Sequence, residues 1–347
     1  MANNFNQNRM NSIGAYLKEC FGEKVIKLSL EGCPNRDGSK GTGGCTFCAS
    51  DGTGHFAGTI RQQIDLLSDK WSEASYIAYF QNHTNTYAPV SDLREKYYDA
   101  LNHDKVVGLA IATRPDCISD EALSLLAELN EKTFLWVELG LQTMHEKTAS
   151  EINRCYPLKT FEDTFARLKN LGIRTVVHLI FGLPGESKED MLESVRYVSA
   201  MKPFGIKFHM LNIVKNSTMA KTHHDYVPFE SIEEYADLVI KALELVPDDI
   251  TVHRLSADAP RPILIAPEWS YKKRTILNTI HNEMRKRDTW QGKNVNSLHH
   301  NQYSSSRALA LLFIWVSISL NLFAGRLYLE CFLNLKSRSF LSPALCF

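Results

Sequence analysis

The 347 residues carry 39 Lys and Arg against 39 Asp and Glu, and 44% of them are hydrophobic, so the chain has no net charge and ample material for a core. That balance excludes wholesale disorder and an overall basic nucleic-acid binder, and a chain of this length builds a core without needing disulfides. Eight cysteines at irregular spacing, behind ten polar N-terminal residues with no apolar signal core, predict a reducing, cytoplasmic compartment.

A polar N-terminal segment, 1–24, precedes the first β-rich apolar run at 25–30. Further strands are predicted at 76–80, 106–112, 134–139, 175–181 and 205–214, with a seventh candidate at 250–255. Helical patterns at 56–70, 91–102, 119–130, 160–170 and 187–201 lie between them. Ser119, Thr160 and Ser187 stand where a hydroxyl can cap the first amides of a helix, with acidic residues following in the first turn. Continuous apolar strands separated by helices predict an α/β protein whose parallel sheet is covered by helices and either closes fully or partly into a barrel or stays open. In each case the chemistry gathers in loops at the C-terminal ends of the strands.

The core therefore reads as 25–255. A basic extension, 256–294, follows, with a Pro-rich run at 259–267 and a helix at 272–287. Between residues 271 and 293, seven Lys and Arg face two acidic residues, with Tyr271 and Trp290 interleaved, a pattern that suits either RNA phosphates and a stacked base or a solvated helical face. The tail 295–347 changes composition to Ser, Leu and Phe, and 308–325 is uncharged and mostly apolar. Eighteen residues sit at the lower edge of what spans a bilayer, and Ser317, Ser319 and Asn321 weaken that case. The tail reads as a non-native extension, such as a frameshifted or read-through end, and no stable membrane association is expected.

Directly after the first strand stand Gly32-Cys33-Pro34-Asn35-Arg36-Asp37-Gly38 and Gly43-Gly44-Cys45-Thr46-Phe47-Cys48, a C-x11-C-x2-C array in a loop that holds eight of the chain's 18 glycines between Gly32 and Gly58. Cys45 and Cys48 can ligate one metal centre and Cys33 can fold over to join them. A closed zinc site wants four ligands, for which only His55 is a candidate fourth, whereas three thiolates on a 4Fe-4S cluster leave one iron open. The residues therefore favour iron-sulfur over a zinc knuckle.

This loop, with the aromatic Phe47 before its last cysteine, resembles the radical S-adenosylmethionine (SAM) superfamily, and its long first gap resembles the YhcC/YtqA-like branch related to the Elongator catalytic subunit. The likeness runs from about residue 25 to about residue 292. It implies a partial (β/α)6 barrel, with Cys33, Cys45 and Cys48 holding a 4Fe-4S cluster whose open iron chelates SAM. One electron, from a donor such as flavodoxin or ferredoxin, then breaks the sulfonium bond, and the resulting adenosyl radical abstracts a substrate hydrogen. Glu138 and Gln142 after the fourth strand, and Ile180 and Gly182 after the fifth, resemble the family's cofactor-holding segments. Gln81, with Thr84, Asn85 and Tyr87 after the second strand, resembles the place that meets the SAM amino group. Arg154 resembles an arginine of an Asn-Arg-Gly-His-like motif, although Cys155 and Tyr156 stand here in place of Gly-His.

Around these lie residues with plainer readings. Arg114 can meet a carboxylate or make a structural ion pair, Cys117 and Cys155 are substrate-side thiols or small hydrophobes, and His209 faces the barrel interior. His223 and His224 read as exposed loop residues. The branch implies transfer RNA as substrate, at the aminomethyl side chain of the wobble uridine. Two rival readings are a radical enzyme acting on a small metabolite or protein side chain, and a zinc-stabilised RNA-binding module without catalysis.

Overall fold

The computed structural model describes residues 9–32, 44–48, 57–68, 71, 73–257 and 259–295, and residues 1–293 form one compact unit. Cys33, His55 and the tail 296–347 lie outside the described residues.

Seven strands form one all-parallel sheet: β1 (Val25–Leu30), β2 (Ser75–Phe80), β3 (Val106–Thr113), β4 (Phe134–Gln142), β5 (Arg174–Phe181), β6 (Gly205–Met210) and, skipping one strand in sequence, β8 (Thr251–Arg254). Parallel neighbours need a crossover, and the chain supplies helices: α2 (Ile60–Ser68), α3 (Val90–Leu101), α4 (Asp120–Lys132), the short α5 (Glu146–Glu151) with α6 (Leu158–Asn170), α7 (Lys188–Met201) and α9 (Ile232–Leu245). The sheet curls into a partial barrel. Every one of the six predicted strands is present, and the seventh candidate pairs with β6.

Three departures from the predicted elements have local causes. The apolar run at 205–214 is two strands, because after Met210 the chain leaves the sheet and β7 (Ile213–Val214) pairs antiparallel with β9 (Leu264–Ala266). Thr160 is inside α6 rather than at its cap: Pro157 takes the cap position, and the Glu146 carboxylate accepts the Leu158 amide, a donor the sequence reading could not place. Ser119 and Ser187 do cap their helices, accepting from the Ala122 and Asp190 amides. The N-terminal segment contains a helix, α1 (Ile13–Phe21), capped by Ser12 and ended by Gly22 in the left-handed region at φ 73°. It was hidden because nine residues give too little periodicity to read.

Inside the barrel the side chains stack in layers. At the strands' N-terminal ends Val25, Ile77, Ala110, Trp136 and Val176 pack with Ile13 and Leu17 of α1, which seals that end with apolar surface. One layer further along, the inward positions turn polar on every strand of the sheet but β3, which supplies Ala112. Above that the barrel opens into a cavity.

Candidate functional site

The cavity has a volume of about 290 Å³ and lies at the C-terminal ends of the strands, where β-α loops of such folds carry chemistry. Its wall includes Cys45, Phe47 and Cys48, then Gln81 and Thr84 after β2, Arg114 after β3, Glu138, Gly140 and Gln142 of β4, His178 and Ile180 of β5, and Arg254 of β8.

At one end stands the cysteine turn. The Cys48 amide donates to the Cys45 carbonyl at 3.1 Å, and the turn is tied on both sides: the Thr46 amide donates to the Ile152 carbonyl, and the Met219 amide to the Thr46 carbonyl. Asn153 Nδ2 donates to the Gly44 carbonyl at 2.6 Å. Phe47 packs against the buried cluster that includes Ile152, Ile180, Leu183 and Met219, so the aromatic between the thiols is its anchor. Cys45 and Cys48 are half-buried, line the cavity and are in no disulfide. Two such thiols on a fixed turn suit the soft, thiolate-demanding iron of a cluster. The stem by which Cys33 leaves β1 is fixed too. A Cβ on Gly32 would lie 2.0 Å from the Asn82 carbonyl oxygen and 2.4 Å from Asn85 Oδ1, so only glycine passes there.

The polar layer at the cavity floor centres on Glu138, which is fully buried. Its carboxylate accepts from Tyr79 OH at 2.8 Å, Trp136 Nε1 at 3.0 Å, His178 Nε2 at 2.8 Å and Lys207 Nζ at 2.5 Å. Burial by itself would raise the Glu138 carboxyl, but the Lys207 ammonium and the His178 hydrogen bond outweigh it and hold the group well below the usual carboxylate range. The partner shifts the other way: burial pulls Lys207 down to about 7 against the attraction of Glu138. The carboxylate's charge is the firmer of the two, because four donors converge on it. His178 is lowered to about 4, first by burial and then by Lys207, so it stands as a neutral ring at neutral pH.

Of the residues singled out in the sequence, Cys45, Cys48, Gln81, Glu138, Gln142 and Ile180 are brought together around one cavity. Gln142 reaches it through a bulge in β4 between Gly140 and Gln142, and Gln142 takes φ 70°, a left-handed conformation seldom kept by a non-glycine without local compensation. His209 also lines the cavity.

Arg154 and Gly182 are absent from the wall. Arg154, only 1% exposed, donates to the carbonyls of Leu141, Thr143 and Tyr156 and pairs with Glu146 at 3.1 Å, so its guanidinium is spent on tying down the loop after β4. Gly182, at φ 86°, faces Phe229 and Pro228, which a Cβ would meet at 2.8 Å. Asn85 is buried, its amide donating to the Phe80, Asn82 and Ala112 carbonyls, whereas Thr84 lines the cavity and Tyr87 is half-buried beside it. Arg114 forms a two-pronged ion pair with Asp116 at 3.0 and 3.1 Å. Cys117 is buried and Cys155 exposed, while His223 and His224 lie in the turn after α8 (Met219–Thr222).

Tyr79, Lys207, Lys27 and Arg254 escaped the sequence reading. The available signal was a lysine within an otherwise apolar strand: Lys27 in β1 and Lys207 in β6.

Residues 30–198 match the radical SAM superfamily and residues 203–286 match the radical SAM C-terminal domain. The chain is 44% identical over 299 residues to the Bacillus subtilis protein YtqA, covering 83% of this chain and 93% of that protein. It is 38% identical over 275 residues to Escherichia coli YhcC, covering 76% and 88%. Among solved structures, archaeal Elp3 from Methanocaldococcus infernus superposes with a TM-score of 0.60 at 16% identity, covering 77% of this chain and 64% of that one, a likeness of fold. A cysteine turn at the mouth of a parallel half-barrel and relatives matched over nearly their whole length lead to one assignment: the chain belongs to the radical SAM superfamily, in its YhcC/YtqA branch related to Elongator.

Proposed function

We propose that this radical SAM enzyme, which uses a 4Fe-4S cluster and SAM, acts on transfer RNA at the aminomethyl side chain of the wobble uridine, as the Gram-positive enzyme MnmL does. Cys33, Cys45 and Cys48 hold the cluster, Gln81, Gln142 and Ile180 line the SAM side of the cavity, and Glu138 orders the polar floor beneath it, with Arg154 and Gly182 supporting from behind. When bound, cluster and cofactor supply one-electron cleavage of the sulfonium bond and hydrogen abstraction from a substrate carbon. The chain's own task is to orient the substrate and exclude water. The apolar plug beneath the polar layer and the Phe47 anchor serve the second purpose.

The observation that carries the RNA reading is the junction between cavity and basic extension. Ala259, Pro260 and Ile263 belong to the cavity wall, and Arg261 in the same segment lies 4.7 Å over the ring of Tyr271, which is 39% exposed. Lys272, and α10 (Lys273–Lys286) with Arg274, continue the basic surface. An exposed aromatic flanked by cations at a cavity mouth suits a splayed base and its phosphates. The reducing cytoplasm suits both the cluster and an electron donor such as flavodoxin or ferredoxin.

Two measurements test this. Anaerobic reconstitution should give a brown protein with about four irons per chain that cleaves SAM when reduced, whereas colourless protein with stoichiometric zinc would return the zinc-module reading. Deleting the gene should change the modified-nucleoside mass profile of total tRNA. An unchanged profile with intact SAM cleavage would move the substrate to a small metabolite or protein side chain.

A further inference from the structure

The cavity has a second charged end. Glu138 neutralises Lys207, yet two more cations stand close to that pair: Lys27 of β1, whose Nζ lies 5.2 Å from the Tyr79 ring centroid, and Arg254 of β8. Arg254 acts electrostatically on Lys27, Tyr79, His178, Lys207 and His209, so its guanidinium belongs to this floor. Cys45, at the other end, has Tyr156 as its electrostatic neighbour, beside Arg114 and Asp116.

Arg254 is in the wall because of a register fault. Strand residues alternate between faces, and His253 already points inward, packed edge-on to Trp136 and Phe204. Strict alternation would turn Arg254 outward. The bulge between Ile206 and Lys207 skips His253 and sets Arg254 directly opposite Lys207. Bulges of this kind re-aim a side chain.

Among the described residues the Arg254 guanidinium, which lines the cavity, has neither a hydrogen bond nor an ion pair. Two polar atoms of the same wall are buried without a hydrogen-bond partner among the described residues: Nε2 of His209 and Oδ1 of Asn212. Buried polar atoms are normally satisfied, so these two, beside the half-buried Arg254 guanidinium, describe a polar ligand whose anion meets the guanidinium and whose N–H or O–H meets the Asn212 carbonyl oxygen. We propose that Arg254 anchors an anionic group, carboxylate or phosphate, of the substrate, with His209 and Asn212 completing a polar lobe opposite the cysteine turn. SAM belongs with the cluster at the cysteine end, so the anion comes from the other molecule. The proposal deepens, and rests on, the reading that the cavity receives a nucleoside of RNA.

The test uses the full chain with its cluster reconstituted and SAM bound, comparing wild type with Arg254→Gln and Arg254→Lys by calorimetry. The probes are uridine, uridine 5′-monophosphate, a uridine bearing a carboxylate at C5, inorganic phosphate and acetate. Wild type should bind one of the two anionic nucleosides about tenfold or more tightly than uridine, the usual yield of a charge-assisted contact. Which one it prefers tells a base side-chain carboxylate from a backbone phosphate. Arg254→Gln should erase that preference and Arg254→Lys should restore part of it, with SAM affinity unchanged in both. A preference that survives Arg254→Gln, or a tenfold loss of SAM affinity in that variant, overturns the proposal. If no uridine compound binds better than acetate, yet ³¹P line broadening of inorganic phosphate is lost in Arg254→Gln, the anion site stands and the nucleoside reading falls. Equal broadening in both proteins removes the anion site. Circular dichroism melting of each variant confirms that it is folded.

Discussion

The two ends of the cavity are built on different plans. The cysteine end comes from a single turn, 44–48, whose shape is set by its own backbone and by bonds to Ile152, Asn153 and Met219. The floor assembles one residue each from β1, β2, β5, β6 and β8 around Glu138 of β4, and it exists only once the sheet has its register. The first is a motif that chemistry stamps on neighbouring residues. The second is a product of topology, and the difference governs what a substitution does at each end.

The largest effect belongs to the local end. Cys45→Ala or Cys48→Ala should reduce iron, sulfide and 5′-deoxyadenosine formation to background while thermal melting changes little, because Phe47 rather than the thiols holds the turn. Cys33→Ala should behave alike. A variant of Cys45 or Cys48 that keeps a full cluster would break the comparison at its root.

Next comes Arg154, a buried cation that ties down the loop after β4. Arg154→Ala strips three loop carbonyls and Glu146 of their donor and should cost about 3–5 kcal/mol in urea unfolding. SAM affinity measured on the folded fraction should hold, since the side chain is not in the wall. Weakened SAM binding in a variant of unchanged stability would return Arg154 to the cofactor.

The same contrast explains how legible the molecule was. The strands were readable because a buried parallel strand is a continuous apolar run, and the meeting of Cys45 and Cys48 on one turn of the cavity wall because two residues between them keep them adjacent. Glu138 and Gln142 were reachable through their place in the C-terminal half of β4. What stayed hidden depends on register: Arg254 points inward only through the bulge opposite Ile206 and Lys207, and Tyr79 meets Lys207 across 128 residues of chain. Arg154 shows the converse, since a motif marks a position without saying whether the side chain meets a ligand or its own loop.

The register-built floor should show itself in pH dependence. Burial lowers Lys207 from its ordinary value to about 7, so between pH 7 and 9.5 the unfolded chain binds this proton and the folded chain sheds it. Stability therefore rises with pH across that window on Lys207's account, by up to about 1.4 kcal/mol per pH unit. Lys207→Met should flatten the rise in a series of urea melts. Lys27, lowered by burial in the same direction, stays in both proteins and cancels from their difference. Parallel pH profiles would mean that Glu138 keeps Lys207 charged throughout.

The smallest effect is expected at Cys117, and it separates the identity of a thiol from its place. Cys117 closes the short helical turn Pro115–Cys117, buried, with its Sγ 3.6 Å from Asp116 Oδ1. It is near the cavity in the fold but outside its wall, and the turn is held by backbone and neighbours: the Cys117 amide donates to the Arg114 carbonyl, and Thr86 donates to the Cys117 carbonyl at 2.7 Å. Alanine keeps both bonds and removes one sulfur from a small buried site, which should cost about 1 kcal/mol. Iron content and SAM cleavage should stay within twofold of wild type. A cluster lost in Cys117→Ala would mean that ligation reaches beyond Cys33, Cys45 and Cys48 to the end of β3, and the two ends of the cavity would then be one device.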